Sequence, residues 1–493
     1  MTDLNTLLQS PIRWMSQATD PDMRHFLRDL QANILKGHGR HFTGNIFVSF
    51  EGMGAQAVAR LLRDLSGYVT SALQQLCTAR SSAGPGFDGG PVRCLLLGAG
   101  AYRALGNLAT MPGDAAFQAG MRARQVALAD PPAEEWGEGA WRPGNPAPDA
   151  MILLANSSFE AVTRDLEAAE GWLNGSGARV LGVERGRAQF RTFRPGGPAE
   201  GVEHFGYVDG RSQPLFLAED LKREAAAYAE EPAPAGADTG FDPAFPPSQF
   251  ILADPNARTE LGAGSYFVFR KLEQRVRAFK RREEALAEAL GLTGTKAARA
   301  GAMAVGRFED GTPVVLSDNA TEAAPPNNFS YANDPEGMRC PFQAHIRKTN
   351  PRGESTPKLP PEAPAERSHI MARRGIPFGD GVRDFEADAG QEPEGEVGLL
   401  FMAYMASIEG QFEFTQQVWA NNPRFLRGLA PGEVPTGIDP VIGQGGDEAA
   451  RTQLWPAGEG KPMVPFSFAD FVRMQGGEYF FAPSRSFLRE VGL

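Results

Sequence analysis

The first strand signal in the chain is Gly44-Asn45-Ile46-Phe47-Val48-Ser49-Phe50, a short run rich in apolar, β-branched and aromatic residues. Such a composition favours a buried strand. Apolar residues at helical spacing follow it, namely Val58, Leu61, Leu62 and Leu65. The stretch therefore predicts a strand followed by a helix that covers one of its faces.

The same alternation continues through the N-terminal half. The predicted elements that follow are strands at residues 92–98 and 151–155, a helix at 159–173 and a returning strand at 179–191. The order of strand, helix, strand, strand, helix and strand is that of a ferredoxin-like unit. The second half repeats the scheme with longer insertions, since it carries strand signals at 266–269, 399–404 and 479–481 and a long amphipathic helix at 272–290.

The length of the chain, 493 residues, exceeds what a single core usually supports and predicts two domains. Residues 221–248 are rich in proline, glycine and polar residues, which predicts a connector between the two domains. We therefore predict an α+β protein with an N-terminal domain at 1–220, a connector at 221–248 and a C-terminal domain at 249–493.

The composition and net charge of the chain limit the kinds of molecule that it is expected to bind. Hydrophobic residues make up 42% of the chain and charged residues 22%, which is ordinary for a globular protein, and the net charge of -11 opposes general binding to nucleic acid or anionic membranes. No apolar run approaches the roughly 18 residues of a membrane span, and we see no signal-peptide core or twin-arginine pair. We expect a cytoplasmic protein whose three scattered cysteines are reduced thiols.

Three polar stretches are candidates for chemistry. Residues 339–352 place His345 between apolar neighbours and a run of cations, and a neutral imidazole in such a setting can ligate iron. The alternative is a core or capping histidine with an ordinary hydrogen-bond partner, and spacing alone does not decide between the two. Residues 203–214 hold Asp209 in a loop, and the alternative there is a simple turn aspartate.

The third stretch, residues 369–379, contains the adjacent Arg373 and Arg374. Neighbouring side chains cannot both face the same way, so one arginine can point inward while the other is solvated. The alternative is two surface cations.

In the second stretch, Gly206 and Gly210 flank the acid and permit a positive φ or a close backbone approach.

Together these stretches resemble the dye-decolourising peroxidases, and the resemblance runs nearly from end to end. The segments that carry it are 30–37, 206–210, 340–352, 373–379, 398–414 and 476–483. The histidine stretch is more similar to a longer-loop branch of that family than to the compact one. In the compact branch an asparagine follows the distal arginine by two positions, whereas here that position is Gly375, so no role for an asparagine is expected.

The resemblance implies two ferredoxin-like domains with haem b held mainly by the second. It also implies that His345 is the proximal iron ligand, Asp209 the distal acid/base and Arg373 the distal cation. Leu399 and Phe401 fall where the family packs apolar side chains above the haem. The expected activity is the oxidation of dyes and other aromatic or phenolic compounds by hydrogen peroxide, and the rival reading is a haem-binding or haem-handling protein with incidental peroxidase activity.

The chemistry requires these residue types. A carboxylate can take a proton from peroxide and return it to the departing oxygen, while a guanidinium stabilises the charge that builds there. Because aspartates ionise near pH 4, a carboxylate base predicts activity that persists at acid pH. A carrier of haem does not require both groups. The natural reductant and the oligomeric state, including a homo-oligomer, are left open by the sequence.

Several supporting roles are open to alternatives. Glu409, with Asp384 behind it, is the candidate hydrogen-bond partner of His345, but an acid at a helix start explains it equally well. Arg347 can face a haem propionate or form a surface salt bridge. We expect His204 and His369 to be structural or superficial. Radical relays to the surface have as candidates Trp172, Trp419, Trp455, Tyr404 and Tyr479, although most of these are expected to be core residues.

Overall fold

The computed structural model describes residues 3–81, 89–231, 236, 238–321, 325–356, 365–386, 390–426, 434–458 and 460–493. Within these residues the main sheet has ten strands. Eight of them form its continuous path: β1 (Phe42–Ser49), β2 (Val92–Gly98), β3 (Ala150–Asn156), β4 (Arg179–Arg187), β5 (Ala263–Gln274), β6 (Ile376–Phe378), β7 (Gly398–Met405) and β8 (Val472–Ala482). The short strands Leu252–Ala253 and Ala372–Arg373 pair with β5 and β7 respectively.

The order of strands across the sheet is β4-β1-β3-β2-β8-β5-β7-β6, and every neighbouring pair is antiparallel. Numbered within its own half, each group of four strands has the spatial order 4-1-3-2. The two halves therefore share one topology, and they join edge to edge where β2 pairs with β8. The predicted α+β fold with two ferredoxin-like units is confirmed, and the two units form one sheet.

Helices and two short hairpins complete the described structure. The α-helices are Leu4–Leu8, Pro21–Asp29, Ala55–Ser66, Ala72–Ser81, Ala99–Leu105, Ala115–Ala119, Met121–Leu128, Phe159–Ser176, Ala218–Glu230, Val276–Ala289, Ala298–Val305, His345–Thr349, Glu448–Arg451 and Arg485–Glu490. Two π-helical segments are Ile408–Glu413 and Thr415–Ala420. Separate hairpins pair Gln189–Arg191 with Glu200–Val202, and Thr452–Trp455 with Val464–Ser467.

The predicted connector has more structure than its composition indicates. Residues 218–230 are helical, so the helix extends into the segment expected to be irregular. Residues 232–235 and 237 of the predicted connector lie outside the described part of the chain.

Close packing of helix on strand explains one glycine of the first strand. A Cβ atom at Gly44 would lie 2.6 Å from the side chain of Leu166, which belongs to the helix Phe159–Ser176. Only a residue without a side chain lets this helix approach β1 so closely.

A second, smaller apolar cluster lies beside the loop that carries Asp209. In it the ring of Phe205 stacks on Phe279 of the helix Val276–Ala289, with 3.9 Å between the ring centres. Burial of an aromatic side chain of this size is worth roughly 2–3 kcal/mol. The cluster therefore anchors the base of the Asp209 loop to the C-terminal half. No helix of the described residues is long and apolar enough to span a bilayer.

Candidate active site

One large cavity of about 940 Å³ is lined by residues of both halves. Its volume falls in the upper part of the range usual for cofactor and ligand sites. Apolar side chains on its walls include Ile346, Leu399, Phe401, Phe412 and Ile442. The same walls carry His345, Asp209 and Arg373, so the three polar positions singled out in the sequence meet in one place.

Asp209 is presented to the cavity by a tight hairpin. Val202 pairs with Val208, and the backbone N–H of Asp209 donates to the carbonyl of Gly201 at 3.0 Å. Gly206 and Gly210 flank the acid with φ values of +97° and +80°, which side chains rarely adopt. The glycines thus supply the positive φ that the sequence predicted, and the carboxylate is left 37% exposed.

Arg373 reaches the same cavity from the short strand Ala372–Arg373. Its backbone N–H donates to Oε1 of Gln213 at 3.1 Å, and its Nη2 donates to the carbonyl of Arg211 at 2.7 Å. Its Nη1 lies 3.9 Å from Oδ1 of Asp209. The chain that follows Asp209 therefore orients Arg373, so the two charged groups are positioned together.

The neighbouring Arg374 also lines the cavity, which corrects the prediction that one of the two arginines is solvated. Its guanidinium donates to the carbonyls of Asn33 and Ile34, each at 2.8 Å. Burial lowers the pKa of Arg374 to about 10. This arginine holds the N-terminal segment against the wall of the cavity.

His345 begins the short helix His345–Thr349 and has a carboxylate partner. Its Nδ1 lies 2.9 Å from Oδ2 of Asp439, whose side chain is fully buried. The other oxygen of Asp439 accepts hydrogen bonds from the backbone N–H groups of Val441 and Ile442. When the Nδ1–H of His345 donates a hydrogen bond to this carboxylate, Nε2 carries the free electron pair of the neutral ring, and this tautomer can bind a metal through Nε2.

Glu409 is not the partner of His345, and that prediction is wrong. Its carboxylate is 47% exposed, lies 3.5 Å from Arg124 and is absent from the walls of the cavity. Glu409 stands in the first turn of the segment Ile408–Glu413, which matches the alternative of a helix-start acid. Asp384, placed behind it in the prediction, accepts from the backbone N–H of Glu386.

Arg347 likewise takes the alternative role of a salt bridge, although a buried one. Its guanidinium is fully buried, pairs with Asp334 and Glu354 at 2.9 and 2.8 Å, and does not line the cavity. Two nearby arginines do line it, namely Arg307 and Arg352.

Arg307 and Arg352 form no ion pair with a carboxylate of the described residues. Arg307 donates to the carbonyl of Gly311 at 2.8 Å, and Arg352 donates to the carbonyls of Asn327 and Phe329 at 2.8 and 2.5 Å. Burial lowers the pKa of both guanidinium groups, that of Arg307 to about 9. Two guanidinium groups without a direct carboxylate partner among the described residues thus line the cavity and suit an anionic ligand group.

The two remaining histidines named from the sequence are buried, and His369 also lines the cavity. His369 stacks on Phe414 at 3.6 Å between ring centres, and its Nδ1 lies 2.6 Å from the carbonyl of Gly410. His204 lies with Nε2 at 2.9 Å from the carbonyl of Phe378, and burial lowers its pKa to about 4. His204 is therefore neutral at ordinary pH, burial also lowers the pKa of His369, and neither histidine is a surface residue.

The oxidisable aromatic residues named from the sequence are mainly core residues. The four that are fully buried are Trp419, Trp455, Tyr404 and Tyr479. Trp172 is partly buried against the main core. A relay that delivers electrons from the surface needs an accessible member, and only Trp172 of this set meets that requirement.

No family model matches the chain. It is 42% identical over 492 residues to the multifunctional dye peroxidase DyP2 of Amycolatopsis sp., covering 98% of this chain and 99% of the relative. The structure of the Amycolatopsis DyP2 superposes with a TM-score of 0.85 and 40% identity, over 99% of this chain and 100% of the other.

Two further proteins support the same relationship. A DyP-type peroxidase from Anabaena sp. superposes with a TM-score of 0.85 and 34% identity, over 99% of both chains. The dye-decolorizing peroxidase msp1 of Mycetinis scorodonius is 31% identical and covers 94% of this chain and 87% of the relative. Full-length identity at this level, together with the shared fold, shows that the chain belongs to the dye-decolourising peroxidase family.

Proposed function

We propose that this peroxidase holds haem b with His345 as the iron ligand, uses Asp209 as acid and base toward hydrogen peroxide, and uses Arg373 to stabilise the departing oxygen. The observation that carries the proposal is the single cavity whose walls bring these three residues together, although 136 residues separate Asp209 from His345 along the chain. The reductants are dyes and other aromatic or phenolic compounds.

The residues of the cavity fit haem. No cluster of three or more His, Cys, Asp or Glu side chains in the described chain suits a bare metal ion, so iron needs a carrier that brings most of its ligands. Porphyrin is such a carrier. Its apolar ring suits Leu399 and Phe401, and its two propionates suit Arg307 and Arg352 in place of Arg347. When bound, haem supplies the redox chemistry of iron and porphyrin.

Asp209 acts on the proton of peroxide. Its carboxylate is exposed to the cavity, and Oδ1 already accepts from the backbone N–H of Gly210 at 2.6 Å, which fixes its direction. The carboxylate takes a proton from one oxygen of the peroxide and returns it to the oxygen that leaves. Carboxylate chemistry of this kind supports activity that persists into acid pH.

The proposed role of Arg373 is to stabilise negative charge on the departing oxygen. As the O–O bond of peroxide breaks, negative charge builds on the departing oxygen, and a fixed guanidinium stabilises it, commonly by about 3 kcal/mol. The contacts of Arg373 with Gln213 and with the carbonyl of Arg211 hold the group before the reaction begins. Little reorganisation is therefore needed at the moment when the charge appears.

The domain boundaries are also part of the proposal. We assign the N-terminal domain to residues 1–220, the connector to 221–248 and the C-terminal, haem-binding domain to 249–493. The cytoplasmic location and any homo-oligomer stay predictions.

The test is spectroscopic and kinetic. Purified protein should show a Soret band, change its spectrum when one equivalent of hydrogen peroxide is added, and then bleach an anthraquinone dye over many turnovers. A protein that binds haem but reacts with peroxide no faster than free haem would be a haem carrier, which contradicts the proposal. A pH profile of peroxide reactivity that rises only above neutrality would contradict the role of Asp209.

A further inference from the structure

Lys348 is a fully buried lysine close to the proposed iron ligand. Its ammonium donates to the carbonyls of Asn422 and Trp419 at 2.6 and 3.3 Å, and it forms no ion pair with a carboxylate in the described chain. Burial lowers the pKa of Lys348 to about 7. A buried cation of this kind is costly, and an apolar side chain would fill the space at a smaller cost.

The two carbonyl acceptors belong to the segment that also supports Asp439. Residues 419–422 include the last two residues of the second π-helical segment, which ends at Ala420, and the two that follow it. The carbonyl of Ala420 accepts from the backbone N–H of Asp439 at 2.9 Å. Asp439 in turn bonds to Nδ1 of His345. Lys348 and His345 lie on the same short helix, so these contacts form a closed ring from the helix through residues 419–422 and Asp439 back to the helix.

We propose that Lys348 is a positioning residue that holds Asp439 at hydrogen-bond distance from His345 by tying residues 419–422 to the helix that carries both Lys348 and His345. The inference rests on the proposed role of His345 as the iron ligand. The two N–H groups that bond Oδ1 of Asp439 set the direction of its carboxylate. Both N–H groups belong to the loop that carries Asp439, so they cannot fix the distance between Asp439 and the helix His345–Thr349. The ring of contacts through Lys348 supplies that constraint.

The consequence concerns the electron density on the imidazole. A carboxylate that accepts strongly from Nδ1 gives the ring anionic character, which stabilises oxidised iron and lowers its reduction potential. Without Lys348 the carbonyls of Trp419 and Asn422 lose their donor, the segment shifts and the hydrogen bond from His345 lengthens. The reduction potential then rises although neither His345 nor Asp439 has changed.

The test is a double-mutant cycle on the haem-loaded protein with K348M, D439N and the double variant. The readouts are the ferric/ferrous reduction potential and the iron–histidine stretching frequency from resonance Raman spectra of the ferrous protein. We expect D439N to raise the potential and lower the frequency, and K348M to shift both in the same direction by a smaller amount. In the D439N background K348M should add no further shift, because its effect passes through Asp439.

Each other outcome is decisive. Two outcomes overturn the role of Lys348 and leave the other assignments unaffected. One is that K348M shifts the potential and the frequency equally in the wild-type and D439N backgrounds, and the other is that K348M causes no shift in the wild-type background. A D439N variant with unchanged potential and frequency overturns the influence of Asp439 on His345, and the inference with it, whereas the role of His345 as iron ligand is tested separately by H345A. K348Q keeps a shorter donor and replaces K348M in the same cycle if K348M does not load with haem. The control is K461M, which removes an exposed lysine and should leave both readouts unchanged.

Discussion

Nη1 of Arg373 lies 3.9 Å from Oδ1 of Asp209, although the two residues come from different halves of the chain. The separation is longer than that of a hydrogen-bonded ion pair, and both side chains are 37% exposed to the cavity. The carboxylate therefore stays free to accept a proton, and the guanidinium stays free to meet charge on a ligand. A tight pair would have cancelled both functions.

The first prediction concerns Asp209. Replacement by asparagine keeps the shape of the loop but removes the base, so the rate constant for the reaction with peroxide should fall by about 10²- to 10⁴-fold. Stopped-flow spectroscopy of the Soret band measures this rate. The matched control is E409Q, which neutralises an exposed carboxylate outside the cavity and should react at the wild-type rate. A D209N variant as fast as E409Q would remove Asp209 from the mechanism.

Arg373 gives the second prediction. R373L removes the guanidinium and should slow the same reaction by about 10²- to 10³-fold, because charge on the departing oxygen is no longer stabilised. Haem content, taken from the Soret absorbance per protein, should stay at the wild-type value. R339L serves as the control, since Arg339 is 45% exposed and lies outside the cavity. Equal rates for R373L and R339L would contradict the proposed role.

His345 gives the third prediction. H345A should lose most of its haem during purification, because it removes the proposed iron ligand, and burial lowers the pKa of His38 and His369, the other two histidines that line the cavity in the described chain. Imidazole added to the haem-reconstituted variant should restore part of the wild-type Soret spectrum by occupying the vacated position. H25A, which changes an exposed histidine, should keep its haem. An H345A protein with a normal spectrum and no response to imidazole would place the ligand elsewhere.

Much of the fold could be predicted because its signals are local. The strands β1, β2, β3 and β7 each appear as short apolar runs, and turn residues mark their ends. The exception is β6, only three residues long and containing Pro377, whose edge position tolerates a missing N–H donor. Its signal was too short to separate from the arginine stretch that precedes it.

The site was harder to predict wherever a contact joined distant parts of the chain. Asp439 lies 94 residues from His345, and no spacing rule connects the two. The sequence favours Glu409 because it follows a predicted strand, yet in the structure its exposed carboxylate lies beside Arg124. Segment 30–37 resembles the family, but the sequence alone gives no physical reason for that resemblance. The structure supplies one, because Arg374 bonds to the carbonyls of Asn33 and Ile34.

The fourth prediction tests the cationic end of the cavity, lined by Arg307 and Arg352, without changing the chain. Haem dimethyl ester lacks the two propionate charges that Arg307 and Arg352 are proposed to meet, so it should bind at least about tenfold more weakly than haem, a difference of about 1.4 kcal/mol. Titration of the haem-free protein, followed by Soret absorbance, gives both dissociation constants. Raising the salt concentration should weaken binding of haem more than binding of the ester. Equal affinities would show that the two arginines do not contact the propionates.

The last prediction concerns Glu203, which lies in the hairpin that presents Asp209. Its carboxylate accepts from the backbone N–H groups of Phe205 and Tyr207 and from the side chain of Gln274, yet burial raises its pKa from 4.5 to about 7. Below about pH 4.5 the group is protonated in the folded and the unfolded chain alike, and its contribution to stability is fully present. As the pH rises toward 7, the unfolded chain releases the proton first, so the free energy of unfolding falls by up to about 3 kcal/mol.

E203Q removes this titration, because glutamine stays neutral at every pH. The free energy of unfolding of the wild type minus that of E203Q should therefore decrease between pH 4.5 and 7.5, as measured by urea denaturation at several pH values. E51Q is the control, since Glu51 is 72% exposed, and its difference from the wild type should be nearly constant over the same range. A constant difference for E203Q as well would mean that Glu203 ionises as an ordinary surface acid, and the burial that fixes the base of the Asp209 hairpin would have to be reconsidered.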